Sequence, residues 1–227
     1  MSDSIVVINP NSSQAVTDGI DAAMAPLRLS GGPAIDCVTL AEGPPAIETD
    51  AEMEAVVQPL CRRIASRKDA GAFVIACFSD PGLALARERT ERPVFGIAES
   101  AMLTALTLGK RFGIISILEA SLPRHLRYLR GLGLESRFAA DLPIGVGVAG
   151  LAESDAVSNR MIAVGQELRD RHGADVIIMG CAGMAGYRDA LERALALPVV
   201  EPCQAAAAMA LGAVRLNWGG NGGRHAS

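Results

Sequence analysis

Two of the five cysteines close apolar runs in the same way. Residues 70–77 read AGAFVIAC and continue FSDPGL, while residues 174–181 read ADVIIMGC and continue AGM. The runs align without a gap, and packing alone gives no reason for both to end in a thiol. A thiol at each of two facing positions suits inversion of a carbon stereocentre. As thiolate, one removes the proton from one face; as thiol, the other returns a proton to the opposite face, and the roles exchange in the reverse direction. The loops Phe78-Ser79-Asp80 and Ala182-Gly183-Met184 lead into helical patterns, so their amides are expected to bring Cys77 and Cys181 down from the free value of about 8.5 toward neutrality. The same amides are expected to bind a carboxylate or an enolate oxygen as charge develops.

The remaining titratable residues point elsewhere. Cys37 and Cys61 sit inside apolar patterns, and Cys203 follows Pro202 at a helix start; all three read as core packing. No pair has CxxC spacing, so no zinc or other metal site is expected. His125 lies in the basic stretch PRHLRYLR, His172 precedes a helix-ending Gly173 and His225 is in the tail. Each reads as solvent-exposed, and a Cys-His nucleophilic pair is not expected. GVGVAG at 145–150 fits GxGxxG, but Pro143 separates it from the preceding strand and no acidic strand end follows at the required distance; it reads as a loop.

The elements that must position the thiols alternate. Strand-like runs fall at 5–9, 34–39, 72–77 and 93–97, and again at 112–117, 135–140, 175–181 and 198–202. Helical patterns fall between them at 12–26, 51–68, 82–90, 99–109, 119–132, 152–172, 184–195 and 203–216. In the second of these, Met53, Val56, Val57, Leu60 and Ile64 share a face. Pro93 and Pro198 open the strand after each cysteine loop, so the chain reads as a duplicated four-stranded α/β unit. The expected fold is α/β, with two pseudo-symmetric lobes, each a four-stranded parallel sheet covered by helices, and a site in the cleft between them. Residues 1–98 plus 204–227 would form one lobe and 99–203 the other. Ligands sit beyond the carboxyl ends of parallel strands, which puts Asn9, Pro10, Asn11 and Ser116 on the same rim as the cysteines.

With 227 residues, half of them apolar, the chain can bury a full core. A net charge of -4 and a pI near 5.4 leave no basic footprint for nucleic acid, so a small-molecule substrate is expected. No apolar stretch reaches membrane-spanning length, and the MSDSIVVINPN start lacks the basic flank of a signal peptide. The cytoplasm, where the cysteines would be reduced, is the expected compartment. The glycine-rich tail from Gly219 reads as a flexible terminus.

INPNSS at 8–13, CFSDPGL at 77–83, PVFGIAESA at 93–101 and GCAGM at 180–184 occur together and in order. With these motifs the chain resembles the hydantoin/allantoin racemase branch of the aspartate/glutamate racemase superfamily, over almost its whole length. The resemblance implies two flavodoxin-like lobes and cofactor-independent racemisation of 5-substituted hydantoins, or the ureide allantoin, by Cys77 and Cys181. It also implies a homo-oligomer. By position Asn11, Ser116 and the loops Phe78-Ser79-Asp80 and Ala182-Gly183-Met184 would hold the ring. Glu99 and Glu201 match acidic positions near the lobe junction, where a salt bridge or a helix cap is the plainer role. Beside this reading stand another superfamily chemistry (amino-acid racemisation, decarboxylation or cis-trans isomerisation) and a ureide-binding module without turnover.

Overall fold

The computed structural model describes residues 4–152 and 154–219, so most of the glycine-rich tail, with His225, lies outside the described residues. Among the described residues, eight strands form two all-parallel sheets of four. The first is built from β1 (Ser4–Asn9), β2 (Ile35–Thr39), β3 (Ala70–Ile75) and β4 (Val94–Gly96) in the order β2-β1-β3-β4. The second, from β5 (Phe112–Ser116), β6 (Phe138–Pro143), β7 (Val176–Met179) and β8 (Val199–Val200), repeats that order as β6-β5-β7-β8. The helices are α1 (Gln14–Ala23), α2 (Asp50–Ala55), α3 (Val57–Ser66), α4 (Leu83–Arg89), α5 (Ile97–Leu108), α6 (Leu122–Gly131), α7 (Asp155–Asp170), α8 (Arg188–Leu195) and α9 (Pro202–Arg215).

Successive strand residues face opposite sides, and this divides the core. Ile5, Val7, Ala72 and Val74 of the first sheet share one cluster with Phe112, Ile114, Val176 and Ile178 of the second, with α5 and α9 packed in the same cluster. The α9 residues buried there are mostly alanines, which lets helix and sheets approach closely. Val6, Ile8, Phe73 and Ile75 face outward onto Leu60 and Ile64 of α3. On the other side Ile115, Ile177 and Met179 face Met161 and Leu168 of α7 and Leu191 and Leu195 of α8. The final helix, α9, packs on β1, β3 and β4.

Several element boundaries differ from the sequence reading by a few residues, and three of the differences have a clear physical reason. The single helix expected over 51–68 is broken at Val56: Pro59 has no amide to donate to Ala55, and its ring would crowd that carbonyl. The sixth strand runs Phe138–Pro143 rather than 135–140, because Glu135–Arg137 form a 3-10 turn and the buried partners of Asp141 hold this acidic residue inside the strand. A 3-10 stretch over Ala182–Tyr187 delays α8 until Arg188.

Candidate active site

The two cysteines leave their sheets by the same route. Beyond β3, the Ala76 amide donates to Ile8 O (2.9 Å); beyond β7, the Gly180 amide donates to Ile115 O (2.8 Å). Each central ladder is thus extended by one residue before the cysteine. Only glycine fits at 180, since a Cβ there would lie 2.8 Å from Ile115 O. The chain then folds back, with Asp80 N on Cys77 O (2.9 Å) and Met184 N on Cys181 O (3.1 Å). Both residues emerge between the first and third strands of their sheets, the point where the strand order changes direction and where open parallel sheets bind ligands. Cys77 and Cys181 line one cleft together with Asn11, Phe78, Ser79, Ala182 and Gly183.

The electrostatics correct the expectation of low thiol pKa values. Cys77 is pushed up to about 12, first by burial and then by the neighbouring Cys181 and Asp80; Arg124 and the Ser79 amide oppose this. Burial likewise pushes Cys181 up to about 11 against the Gly183 amide, with Glu48 and Glu201 adding to the rise. The loop amides do reach the sulfurs, but one per sulfur does not offset desolvation. The better-developed helix N-termini nearby serve carboxylates instead. Asp80 accepts from Ala98 N (2.9 Å) and Glu99 N (2.8 Å) at the start of α5, and Glu201 accepts from Cys203 N (3.1 Å) and Gln204 N (2.5 Å) at the start of α9.

Asn11 is a cleft residue with a fixed orientation. Its Oδ1 accepts from Asn9 Nδ2 and Ser13 N, both at 2.9 Å, which leaves Nδ2 without a partner among the described residues. Phe78 is buried and meets His125 edge to face, with ring centroids 5.2 Å apart. The Ser79 hydroxyl accepts from Arg124 Nε at 2.8 Å. Three residues expected in the site lie elsewhere. Asp80, besides capping α5, accepts from Tyr128 Oη (2.8 Å), so its carboxylate is fully engaged away from the cleft, where burial raises it to about 6. Ser116 is fully buried and bonds to Asp141 and His125. Met184 is fully buried in the outer core of the second sheet. Glu99 pairs with Arg87 (2.5 Å), so the plainer reading holds for both it and Glu201.

Sequence reasoning missed Arg124 and His125, which were placed on an exposed basic helix. Both are buried, at 7% and 4% exposure, and both line the cleft. His125 Nδ1 faces Asp141 Oδ2 at 2.8 Å and Ser116 Oγ at 3.2 Å. A signal for it was present: Leu122, His125, Leu126 and Leu129 follow the i, i+3, i+4, i+7 spacing of one helix face. No comparable signal marked Arg124, because its partners come from far away: Ser79 and, through Nη1, Asp50 (3.3 Å). Asp50 also pairs with Arg127 (2.8 Å), and these two arginines hold its carboxyl below the usual range. With Glu48, which accepts from Val148 N at 2.7 Å, Asp50 at the start of α2 ties the segment after β2 to α6 and to the second sheet's loop at Val148. Among the described residues, no group of three or more His, Cys, Asp or Glu side chains is placed to hold a metal ion.

The same chain matches known proteins along most of its length. Residues 5–210 match the family described as Asp/Glu/Hydantoin racemase. A hydantoin racemase of Paenarthrobacter aurescens is 35% identical over 219 residues, covering 94% of this chain and 92% of that protein. One of Rhizobium meliloti is 32% identical over 210 residues, covering 91% and 86%. Among solved structures, an allantoin racemase from Klebsiella pneumoniae superposes with a TM-score of 0.89 at 32% identity, over 95% of this chain and 89% of that one. With the duplicated parallel sheets and this match over nearly all of its length, the chain belongs to the Asp/Glu/hydantoin racemase family of isomerases.

Proposed function

We propose that this protein racemises a 5-substituted hydantoin, or the related ureide allantoin, by two-base proton transfer at C5 between Cys77 and Cys181, with no cofactor. The observation that carries the reading is the pair of thiols brought by equivalent turns of two matching sheets to one cleft. The relatives named hydantoin racemase and allantoin racemase supply the substrate class.

In the forward direction the thiolate of one cysteine takes the C5 proton, the electron pair passes into the adjacent C4 carbonyl as an enolate, and the thiol of the other returns a proton to the opposite face. Asn11 Nδ2, its orientation locked by the two bonds to its oxygen, is the donor we assign to a ring carbonyl. Arg124 favours the Cys77 thiolate. His125, with Nδ1 turned to Asp141, has a second ring nitrogen with no hydrogen-bond partner among the described residues. We assign that nitrogen to acceptance of a ring N–H.

The test is incubation in deuterated water with single enantiomers of several 5-substituted hydantoins and of allantoin, following optical rotation and the C5 proton signal. Rotation should decay as the proton signal is lost. Background rates of both for every compound, with enzyme shown to be folded, would rule the proposal out.

A further inference from the structure

Beside the thiols the cleft is tight, with a cavity volume of about 30 Å³, and next to it lies a groove of about 470 Å³ that shares Val16, Val148, Ala182 and Gly183 with it. One wall is α1 and the other is formed by residues 148–152 with the 182–187 turn, which packs on α1. Much of its lining is small, namely Ala15, Gly19, Ala149, Ala152, Ala185 and Gly186, with Leu151 and Tyr187 the largest side chains. A Cβ at Gly19 would have no atom within 4 Å.

The groove's polar side chains are mostly committed to the backbone. Tyr187 Oη has one proton to donate, with the carbonyls of Ala152 (3.0 Å) and Leu151 (3.3 Å) both in reach, and it accepts from Ser154 N (3.1 Å). Ser13 Oγ caps α1 by accepting from Val16 N. Among the described residues the lining carries no charged side chain, and Ser12 has the one hydroxyl without a partner.

We propose that this groove is the subsite for the C5 substituent and that it selects bulky apolar groups, arylmethyl or branched alkyl, over a ureido group. The inference rests on the racemase reading above. The space beside the thiols has no room for a large substituent, and the groove is the neighbouring space that shares its lining. A ureido group brings several N–H donors and a carbonyl to walls whose side chains offer one free hydroxyl, whereas an arylmethyl group gains by leaving water. Ala15 and Gly19, four apart on the same face of α1, set its width.

The experiment compares kcat/KM for 5-benzylhydantoin, 5-methylhydantoin and allantoin in the natural protein, Gly19→Leu and Ala15→Phe, with calorimetric titration of 5-benzylhydantoin alongside. Both positions are exposed on a helix, and circular dichroism checks folding. The expected result is at least a tenfold preference of the natural protein for the benzyl compound over allantoin, and at least a tenfold fall in the benzyl-to-methyl ratio in both variants. Allantoin preferred over the benzyl compound, or ratios unchanged in both variants while all substrates are still racemised, would overturn the subsite and leave the racemase reading standing. If nothing is racemised but 5-benzylhydantoin binds and both variants weaken it tenfold or more, the subsite stands and the racemase reading falls. If it neither binds nor turns over, both fall.

Discussion

The raised thiols can be tested directly by alkylating Cys77 and Cys181 with iodoacetamide at a series of pH values. Against an ordinary cysteine at 9.0, values of about 12 and about 11 make the two thiols about 4 and 3 kcal/mol harder to ionise. At pH 7 roughly one Cys181 in ten thousand, and an order of magnitude less of Cys77, is thiolate, against about one in a hundred for an ordinary cysteine. Since only the thiolate reacts, the alkylation rate at each site should climb about tenfold per pH unit from 7 to 9 without levelling. Peptide mass mapping assigns the sites. The slope is the readout, because restricted access lowers the rate at every pH alike while a low pKa produces a plateau. Arg124→Gln should slow alkylation of Cys77 and leave that of Cys181 near its natural value, because Arg124 is the positive charge favouring the Cys77 thiolate. A rate that levels off below pH 9 would refute the dominance of desolvation and restore the low-pKa picture drawn from the loop amides. Because kcat/KM reports the free enzyme, it should show the same rise with a substrate that does not itself ionise in this range.

Cys77→Ser and Cys181→Ser should each cut racemisation by about 10² to 10⁴, the usual span for a general acid or base, while leaving deuterium exchange measurable from one enantiomer only. Unchanged racemisation in either variant removes that cysteine from the mechanism. Gly96→Ala should destabilise the fold by about 2–4 kcal/mol in denaturant titration, since its Cβ would sit 2.1 Å from Asp80 Cγ and push that carboxylate off the α5 amides; a loss below half a kcal/mol would count against this packing. Burial raises Asp80 to about 6 and Glu201 to about 7, so the folded protein holds these protons more tightly than the unfolded chain. Their stabilisation is present at low pH and is lost as pH rises through 6 and 7, making the fold about 3–4 kcal/mol more stable at pH 5 than at pH 8. Glu201→Gln should flatten that dependence, and equal denaturation midpoints at pH 5 and 8 in the natural protein would contradict the shifts.

The order of elements, the duplicated sheet and the emergence of both cysteines at strand ends were legible in the sequence. Each depends on local pattern: β3 and β7 are buried on both faces and so read as unbroken apolar runs, and each is followed by small residues that let the chain turn. What surrounds the thiols was not legible, because it is assembled from distant segments. Asp80 was placed in the site by its position in the loop after Cys77 and Ser116 by its position at a strand end, yet Asp80 turns to amides eighteen and nineteen residues on, and Ser116 to Asp141 and His125. Arg124 and His125 enter the cleft because α6 presents its buried face to the first sheet's loops, and only there does a basic stretch meet Ser79 and Phe78. The sequence alone determined the framework and the matching positions of two cysteines at strand ends, since strand and helix periods are properties of neighbouring residues. Only the tertiary structure decided the thiol pKa values and the walls of the pocket, because desolvation and contact depend on residues that the chain brings together from tens of positions away.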